Sequence, residues 1–246
     1  MTGLKNKTAI VTGSSRGLGK KAAMELAKSG ANIVVNYNSN ESEALATVHE
    51  IISNGGNAIA VKADVSNSEA VNYLFEKSIE QFGKIDIVVN NAGIMVTKFL
   101  KDFSGEEFDR QFSINVKSVF LMMKKASEKL AHNGRIINIS SSTSRLMLPT
   151  YAIYSATKSA VEQMTRVFAK EIAPKGITVN SVLPGPIDTE LFRNGKSDDV
   201  INRIAGLSAF NRIGNTADII PIILFLSSDE SQWITGQSIG INGGMA

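Results

Sequence analysis

A tyrosine and a lysine four residues apart carry the first chemical signal in this sequence. Tyr154 and Lys158 stand in the run Tyr-Ser-Ala-Thr-Lys, and residues at i and i+4 share one face of a helix. A phenol has an unperturbed pKa of about 10, which a neighbouring cation lowers because it stabilises the phenolate. Tyr151 has Ser155 at i+4, so the cation argument selects Tyr154. The pair predicts a proton donor and acceptor.

A glycine-rich turn follows the first apolar strand, about 140 residues upstream of this pair. Gly13, Gly17 and Gly19 precede a helical stretch, where close backbone approach and amides at a helix N-terminus favour a pyrophosphate. The spacing G-x-x-x-G-x-G differs from the general dinucleotide fingerprint and from a P-loop, which requires glycine where this chain has Ser14. The alternative is simply a tight strand-to-helix turn.

The elements that would position these residues alternate along the whole chain. Most strand candidates are nearly continuous in Ile, Val and Ala, as expected of parallel strands covered on both faces. They are Thr8–Thr12, Asn32–Asn36, Ala58–Lys62, Ile85–Val89, Arg135–Ile139, Ile177–Leu183 and Ser238–Ile241. The helix candidates are Leu18–Ser29, Ser42–Ser53, Ser68–Phe82, Glu106–Leu130, Tyr151–Ile172 and Thr216–Leu226. This rhythm predicts a doubly wound α/β fold with a seven-stranded parallel sheet and helices on both faces.

Composition excludes several kinds of site. The chain has 246 residues and no cysteine, which removes disulfides, thiolate catalysis and zinc–sulfur sites. Its two histidines, His49 and His132, are far apart, so no metal is expected. The net charge of +3 is spread without a basic block, which argues against nucleic acid. The longest apolar run, residues 219–226, is too short to span a bilayer, and no signal peptide is evident, so we expect a cytoplasmic protein.

Several motifs together resemble those of the short-chain dehydrogenases/reductases. They are Thr-Gly-Ser-Ser-Arg-Gly-Leu-Gly at residues 12–19, Asn-Asn-Ala-Gly at 90–93, Asn115, a serine-rich strand end, Tyr-Ser-Ala-Thr-Lys at 154–158 and Leu-Pro-Gly-Pro at 183–186. The resemblance covers essentially the whole chain. It implies one Rossmann-fold domain over residues 1–246, with a substrate lid at about 188–210, which moves hydride between NAD(P)H and a carbonyl or alcohol. A homotetramer is expected, because the family commonly forms one.

The resemblance implies catalytic roles for Asn115, Ser141, Tyr154 and Lys158. Four serines, at positions 140, 141, 142 and 144, lie near the end of the fifth strand, and spacing alone does not choose among them. The family places its serine thirteen residues before the tyrosine, which gives Ser141. In the family, Asn115 anchors a water in a proton relay, Lys158 also holds the nicotinamide ribose, and Asn90 steadies the central sheet.

The cofactor expected is NADP(H). NAD enzymes carry a carboxylate after the second strand to bind the ribose 2′-hydroxyl, whereas this chain has no acid there until Glu41 and places Arg16 in the phosphate turn. The resemblance places Asp64 at the adenine. The cofactor-binding residues that it implies are Gly13, Ser15, Arg16, Gly17, Leu18, Gly19, Asn38, Ser39, Asp64, Val65, Asn91, Ala92, Gly93, Tyr154, Lys158, Pro184, Gly185, Ile187 and Thr189.

The expected substrate is an apolar or thioester-linked carbonyl compound. Apolar residues in the lid are predicted to close over the site, namely Leu191, Phe192, Ile201, Ile204 and Leu207. The opposite wall is predicted from Met95, Leu146, Met147 and Tyr151. The alternative is that these residues only pack the lid onto the body of the protein.

Within the family the pattern looks closest to 3-oxoacyl-carrier-protein reductases and NADPH-dependent aldehyde or ketone reductases. The partners expected are a small carbonyl substrate and, as a further candidate, the acyl carrier protein. Against the latter, His132 stands where the carrier reductases have a docking arginine, although Lys175 keeps a second basic position. Two alternatives stay open: a polyol or sugar dehydrogenase of the same family, and a cofactor-binding sensor without turnover.

Overall fold

The computed structural model describes residues 3–246, in which seven parallel strands lie between two layers of helices. The strands are Thr8–Val11 (β1), Asn32–Tyr37 (β2), Asn57–Lys62 (β3), Ile87–Asn90 (β4), Arg135–Ile139 (β5), Thr178–Pro184 (β6) and Ser238–Ile241 (β7). Their spatial order is β3-β2-β1-β4-β5-β6-β7. The order reverses between β1 and β4, and open α/β sheets bind ligands at the carboxyl ends of the strands at such a point. The predicted single-domain, doubly wound fold is confirmed.

Nine α-helices connect or flank these strands within the described residues. They are Gly17–Lys28 (α1), Glu41–Ser53 (α2), Ser68–Phe82 (α3), Gly105–Phe112 (α4), Ser118–Lys129 (α5), Ala152–Ile172 (α6), Glu190–Arg193 (α7), Asp198–Ala205 (α8) and Thr216–Ser227 (α9). The two short helices α7 and α8 lie in the segment expected to form a lid.

The single long helix predicted over Glu106–Leu130 is wrong. Helix α4 ends at Phe112, a π-helical turn occupies Ser113–Lys117, and α5 begins at Ser118. The polar and apolar pattern runs through all three pieces, so periodicity does not reveal the wider turn. Such π-turns occur frequently at functional sites, and this one contains Asn115.

Asparagine and serine are favoured helix N-caps, and the sequence predicts Asn40 as the cap of α2 and Ser66 or Ser68 as the cap of α3. Asn40 accepts a hydrogen bond from the amide of Glu43, as predicted. The cap of α3 is Asn67, which accepts from the amide of Ala70, and neither Ser66 nor Ser68 has that role. Ser66 instead donates its hydroxyl to the Asp64 carboxylate at 2.7 Å, which leaves the cap to the next residue.

The two faces of the sheet bury two hydrophobic cores. Ile10 and Val34 pack among side chains of α3, α5 and α6, whereas Val11 and Ile33 pack among side chains of α1, α2 and α9. Successive strand residues point to opposite faces, so strands with apolar residues at successive positions supply both cores. Each fully buried Ile, Leu or Phe side chain contributes about 1.5–3 kcal/mol relative to exposure.

A row of buried polar side chains crosses the middle of the sheet. Asn90 on β4 donates to Asn138 on β5 at 2.8 Å, and Asn138 donates to Thr165 of α6 at 2.8 Å. The Thr165 hydroxyl also lies 2.9 Å from the Ser181 hydroxyl on β6. Hydrogen bonds offset the cost of burying these groups, and the row links three strands and one helix. The expectation that Asn90 steadies the central sheet agrees with these contacts.

Candidate active site

The turn between β1 and α1 has the backbone geometry of a phosphate-binding turn. Gly13 and Gly17 have φ of +60° and +58°, values that disfavour any side chain. A Cβ at Gly19 would overlap with the Asn91 side chain and the Gly13 carbonyl oxygen. No side chain caps α1 and no acidic residue lies in its first turn. The N-terminal amides of α1 therefore fit a pyrophosphate.

Two residues that were not predicted as site residues, Thr12 and Asn36, hold this turn in place. The Thr12 hydroxyl accepts hydrogen bonds from the amides of Asn91 at 2.9 Å and Ala92 at 3.0 Å. The side-chain nitrogen of Asn91 donates in turn to the carbonyl oxygens of Thr12 and Gly13, at 2.9 and 3.1 Å. The Asn36 side chain accepts from the Gly13 amide at 3.3 Å. The sequence does contain a signal for them, because Thr12 and Asn36 are polar residues at the ends of the two apolar strands β1 and β2.

Arg16, predicted to bind a 2′-phosphate, is paired with a carboxylate from the far end of the chain. Its guanidinium lies 3.1 Å from the carboxylate of Glu190, the first residue of α7. Both side chains are exposed, so water screens the pair. Asn38 and Ser39, predicted at the same phosphate, are exposed directly after β2. The set fits a 2′-phosphate, because Arg16 is free to exchange one anion for another.

Tyr154 and Lys158 lie together on the buried side of α6, as the spacing predicts. The Lys158 Nζ is 5.7 Å from the centre of the Tyr154 ring and donates to the carbonyl oxygen of Ile139 at 2.9 Å. The Tyr151 ring lies edge-on to that of Tyr154, with centroids 6.4 Å apart. Both catalytic candidates are less than a tenth exposed.

The predicted direction of the Tyr154 pKa is wrong for this structure. Burial raises the pKa of Tyr154 to about 12, which outweighs the opposing effect of a hydrogen bond from Ser141. Burial also lowers the pKa of Lys158 to about 8. Both shifts favour the neutral form, because a poorly hydrated site penalises charge. The phenol is therefore protonated at neutral pH and able to donate a proton.

Contacts in the turn after β5 separate Ser141 from the three neighbouring serines. Ser140 donates to Glu162 at 2.9 Å, Ser142 donates to the carbonyl oxygen of Leu183 at 3.0 Å, and Ser144 donates to that of Ser141 at 2.9 Å. These three hydroxyls hold the turn together. The Ser141 hydroxyl also caps the turn, since it accepts from the Thr143 amide at 3.2 Å, but it alone of the four is hydrogen-bonded to Tyr154, where it can hold a carbonyl oxygen beside the phenol.

Asn115 clamps the loop that follows β4. Its side-chain oxygen accepts from the Ile94 amide at 2.8 Å, and its side-chain nitrogen donates to the Ile94 carbonyl oxygen at 2.9 Å and to Thr157 at 3.1 Å. One turn earlier, Gln111 accepts from the Val96 amide at 2.6 Å. Gln111 and Thr157 were not predicted; Thr157 lies inside the Tyr-Ser-Ala-Thr-Lys run, whereas Gln111 gave no signal in the sequence.

Gly93 lies between Asn115 and Lys158. A Cβ at this position would lie 3.2 Å from the Asn115 side-chain oxygen and 3.7 Å from the Lys158 Nζ. Asn115 and Lys158, the two residues that the predicted water relay would join, therefore both lie beside Gly93. The relay itself stays a prediction.

The remaining predicted cofactor residues line the ends of neighbouring strands. Asp64 accepts from the Ser66 amide at 2.9 Å, and Val65 beside it is buried. Gly185, after β6, lies so close to Asn242 that a Cβ would be 2.9 Å from its Cα. Three further predicted residues lie in the same segment, namely Pro184, Ile187 and Thr189.

The predicted apolar pocket forms only in part. Phe192 and Ile201 are buried, which agrees with a lid packed over the body, whereas Leu191 and Leu207 are about half exposed. Met147 was expected in the opposite wall but is 100% exposed. Its position in the middle of the short loop before α6 points the side chain to solvent. Three other predicted wall residues are partly buried, namely Met95, Leu146 and Tyr151.

Neither a metal centre nor a membrane span appears in the part of the chain that the structure describes. Residues 3–246 contain no group of three or more His, Cys, Asp or Glu side chains arranged to hold a metal ion. Across the same range, every helix is too short or too polar to cross a bilayer.

Comparison with protein families matches nearly the whole chain to one family. Residues 13–246 match the family model described as enoyl-(acyl carrier protein) reductase. A short-chain type dehydrogenase/reductase of Picea abies is 41% identical over 252 residues, covering 98% of this chain and 93% of the relative.

Two further relatives carry cofactor information in their names. The NADPH-dependent aldehyde reductase-like protein of Arabidopsis thaliana is 41% identical and covers 98% of this chain and 94% of its own length. The crystal structure of angucycline C-6 ketoreductase LanV with bound NADP superposes with a TM-score of 0.93 at 35% identity, covering 98% of this chain and 96% of that one.

Proposed function

The chain belongs to the short-chain dehydrogenase/reductase family and is an oxidoreductase that acts on carbonyl and alcohol groups, and we propose that it reduces a carbonyl with NADPH. The observation that carries the proposal is the meeting of the Ser141 hydroxyl and the Tyr154 phenol, with Lys158 against the phenol ring. Two hydroxyl donors at one point suit a carbonyl oxygen that gains negative charge during reduction.

Each side chain of the site has a distinct role in this proposal. Bound NADPH supplies the hydride for the carbonyl carbon. Ser141 donates a hydrogen bond to the carbonyl oxygen, and Tyr154 gives that oxygen its proton. Lys158 stabilises the phenolate that remains, because its ammonium lies against the ring. The raised pKa of Tyr154 favours this direction, since the phenol holds its proton at neutral pH.

Three observations support NADP(H) as the cofactor. Arg16 lies in the phosphate turn, β2 ends without a carboxylate, and two relatives are named for NADPH or contain NADP. The turn glycines and the uncapped N-terminus of α1 would hold the pyrophosphate, while Arg16, Asn38 and Ser39 would hold the 2′-phosphate.

We favour a free apolar ketone or aldehyde over a carrier-bound substrate. Lys175, the second basic position expected for carrier docking, donates its ammonium to the carbonyl oxygen of Ser127 at 2.5 Å. His132 replaces the first. The relatives named as an aldehyde reductase-like protein and a ketoreductase support the same preference. An acyl carrier protein is the second candidate partner, supported by the description of the matching family.

A substrate panel tests the proposal directly. NADPH oxidation would be followed with an aromatic aldehyde, a polycyclic ketone and an acetoacetyl thioester, and glucose oxidation would be followed with NADP⁺. We expect the highest kcat/KM for the aldehyde or the ketone. A clear preference for glucose would establish the sugar dehydrogenase alternative, and the absence of turnover with cofactor still bound would establish the sensor alternative.

The quaternary state and location are proposed with the function. The expected homotetramer is supported by exposed apolar side chains along α4, α5 and α6, namely Phe108, Phe120 and Val167. Light scattering on the purified protein measures this directly, and a monomeric mass would contradict it. The cytoplasmic location stays a prediction, which a fluorescent fusion would test.

A further inference from the structure

The Ser141 hydroxyl makes three polar contacts with two residues. The Thr143 amide donates to Ser141 Oγ at 3.2 Å, and the Thr143 hydroxyl donates to the same oxygen at 3.0 Å. The third contact is with the Tyr154 phenol. Two of the three contacts thus come from one residue, two positions further along the same turn.

The number of donor and acceptor sites on a hydroxyl group determines where the Ser141 proton can point. A serine hydroxyl has one proton to donate and two lone pairs that accept. The Thr143 amide can only donate, so it occupies one lone pair. The Thr143 hydroxyl, when it donates, occupies the second. The Ser141 proton then has one direction left, toward Tyr154.

A carbonyl oxygen can only accept, so Ser141 assists reduction only when its proton points outward. We propose that Thr143 is a positioning residue, whose hydroxyl directs the Ser141 proton toward the substrate oxygen. The inference rests on the proposed reduction and adds a residue that acts through Ser141. Without the Thr143 hydroxyl, the Ser141 hydroxyl keeps its contact with the amide but is free to rotate.

The hydroxyls adjacent to Ser141 and Thr143 bond elsewhere. Ser140 donates to Glu162 and Ser142 to the Leu183 carbonyl oxygen. The Ser144 hydroxyl donates to the backbone oxygen of Ser141 at 2.9 Å and so contacts the same residue without touching its hydroxyl. Ser144 therefore offers a matched control for loosening of the turn.

The test compares Thr143→Val, Thr143→Ser and Ser144→Ala with the unchanged protein. Valine keeps the shape and the backbone amide of residue 143 and removes only the hydroxyl. One neutral hydrogen bond corresponds to a loss of roughly 3- to 10-fold in kcat for Thr143→Val. We expect unchanged NADPH affinity and thermal midpoint in this variant, and near-normal kcat in Thr143→Ser and Ser144→Ala.

Three kinetic outcomes would overturn the inference. Normal kcat in Thr143→Val would show that the hydroxyl is dispensable. A defect in Thr143→Ser as large as in the valine variant would show that something other than the hydroxyl matters. An equal defect in Ser144→Ala would reduce the effect to loosening of the turn.

A second measurement does not depend on turnover and keeps this inference separate from the proposed function. Neutron diffraction from crystals exchanged into D₂O locates the deuterium on Ser141 Oγ. We expect it on the side of the Tyr154 oxygen; a deuterium pointing at Thr143 Oγ1 would overturn the inference even if the protein is an active reductase. If the protein reduces no carbonyl, the proposed function fails, and the position of the deuterium still decides the role of Thr143.

Discussion

The Lys158 ammonium faces the ring of Tyr154 at 5.7 Å from its centre and gives its hydrogen bond to the Ile139 carbonyl oxygen. The lysine is thus anchored to the end of β5 and lies over the phenol ring. Burial sets the balance between the two groups, since it raises the pKa of Tyr154 to about 12 and lowers that of Lys158 to about 8.

Replacing Tyr154 with Phe should separate chemistry from binding. The substitution removes only the phenol oxygen, and general acid catalysis is worth about 10²- to 10⁴-fold. We expect kcat to fall at least ~100-fold while NADPH affinity, measured by fluorescence titration, barely changes. Tyr151→Phe removes a hydroxyl from the neighbouring ring and should keep most of the activity. Near-normal turnover in Tyr154→Phe would rule out the proposed mechanism.

Replacing Lys158 with Met should abolish activity and stabilise the fold. A buried ammonium with a pKa lowered from 10.5 to about 8 costs about 3 kcal/mol at pH 7, which an apolar side chain of similar size avoids. Chemical denaturation should show the gain, and Lys170→Met, on an exposed part of α6, should show little change.

The sign of the pH dependence provides the check on this explanation. Below about pH 8, Lys158 is charged in both the folded and unfolded states, so its cost is fully present. Between about pH 8 and 10.5 the unfolded chain binds more protons, and the stability of the unchanged protein rises relative to Lys158→Met. A stability difference that stays constant up to pH 10.5 would show that the buried ammonium charge is not the cause.

Arg16 and Glu190 should have opposite effects on cofactor preference. A charge-assisted hydrogen bond contributes about 1.5–3 kcal/mol, so Arg16→Ala should lower the preference for NADPH over NADH by roughly ten- to a hundredfold. Glu190→Gln removes the competing carboxylate and should tighten NADPH binding a few-fold at most, because an exposed pair is worth about 0–1 kcal/mol. Steady-state kinetics with both cofactors measures each change. If Arg16→Ala kept the full preference, the phosphate contact would have to be assigned elsewhere.

A methyl group at Gly93 should disturb the active site from within. The new Cβ in Gly93→Ala would contact both the Asn115 oxygen and the Lys158 ammonium, at 3.2 and 3.7 Å. We expect kcat to fall about tenfold or more, since small displacements at a site are costly. Gly105→Ala, where nothing lies within 4 Å of the new Cβ, should keep activity and leave stability equal or higher. Equal kcat in the two variants would show that the space beside Gly93 has no role.

The sequence predicted what local patterns encode. Runs of Ile, Val and Ala located all seven strands to within two residues, and the i, i+4 spacing correctly brought Tyr154 and Lys158 to one face of α6. The π-turn around Asn115 was missed because the side-chain pattern continues through it. Backbone hydrogen bonding, which distinguishes the two helix types, leaves little trace in residue order.

Tertiary contacts explain the other differences. Arg16 meets Glu190 across 174 positions of sequence, and no local rule pairs them. The turn serines differ only in what each hydroxyl reaches in the folded chain. The pKa of Tyr154 moves upward because burial outweighs the hydrogen bond from Ser141, and the depth of burial depends on the whole fold.

The polar row through Asn90, Asn138, Thr165 and Ser181 bears on how the sheet finds a single alignment. Strands rich in Ile and Val bury similar apolar surface in several alignments, so apolar contacts alone discriminate poorly between them. Sliding β5 by two residues against β4 would keep the same side chains facing each core. It would nevertheless separate Asn90 from Asn138 and leave a buried side-chain amide without its hydrogen bond. These few hydrogen bonds therefore raise the free energy of misaligned sheets. The polar residues of the core thus help to select a single register between the strands.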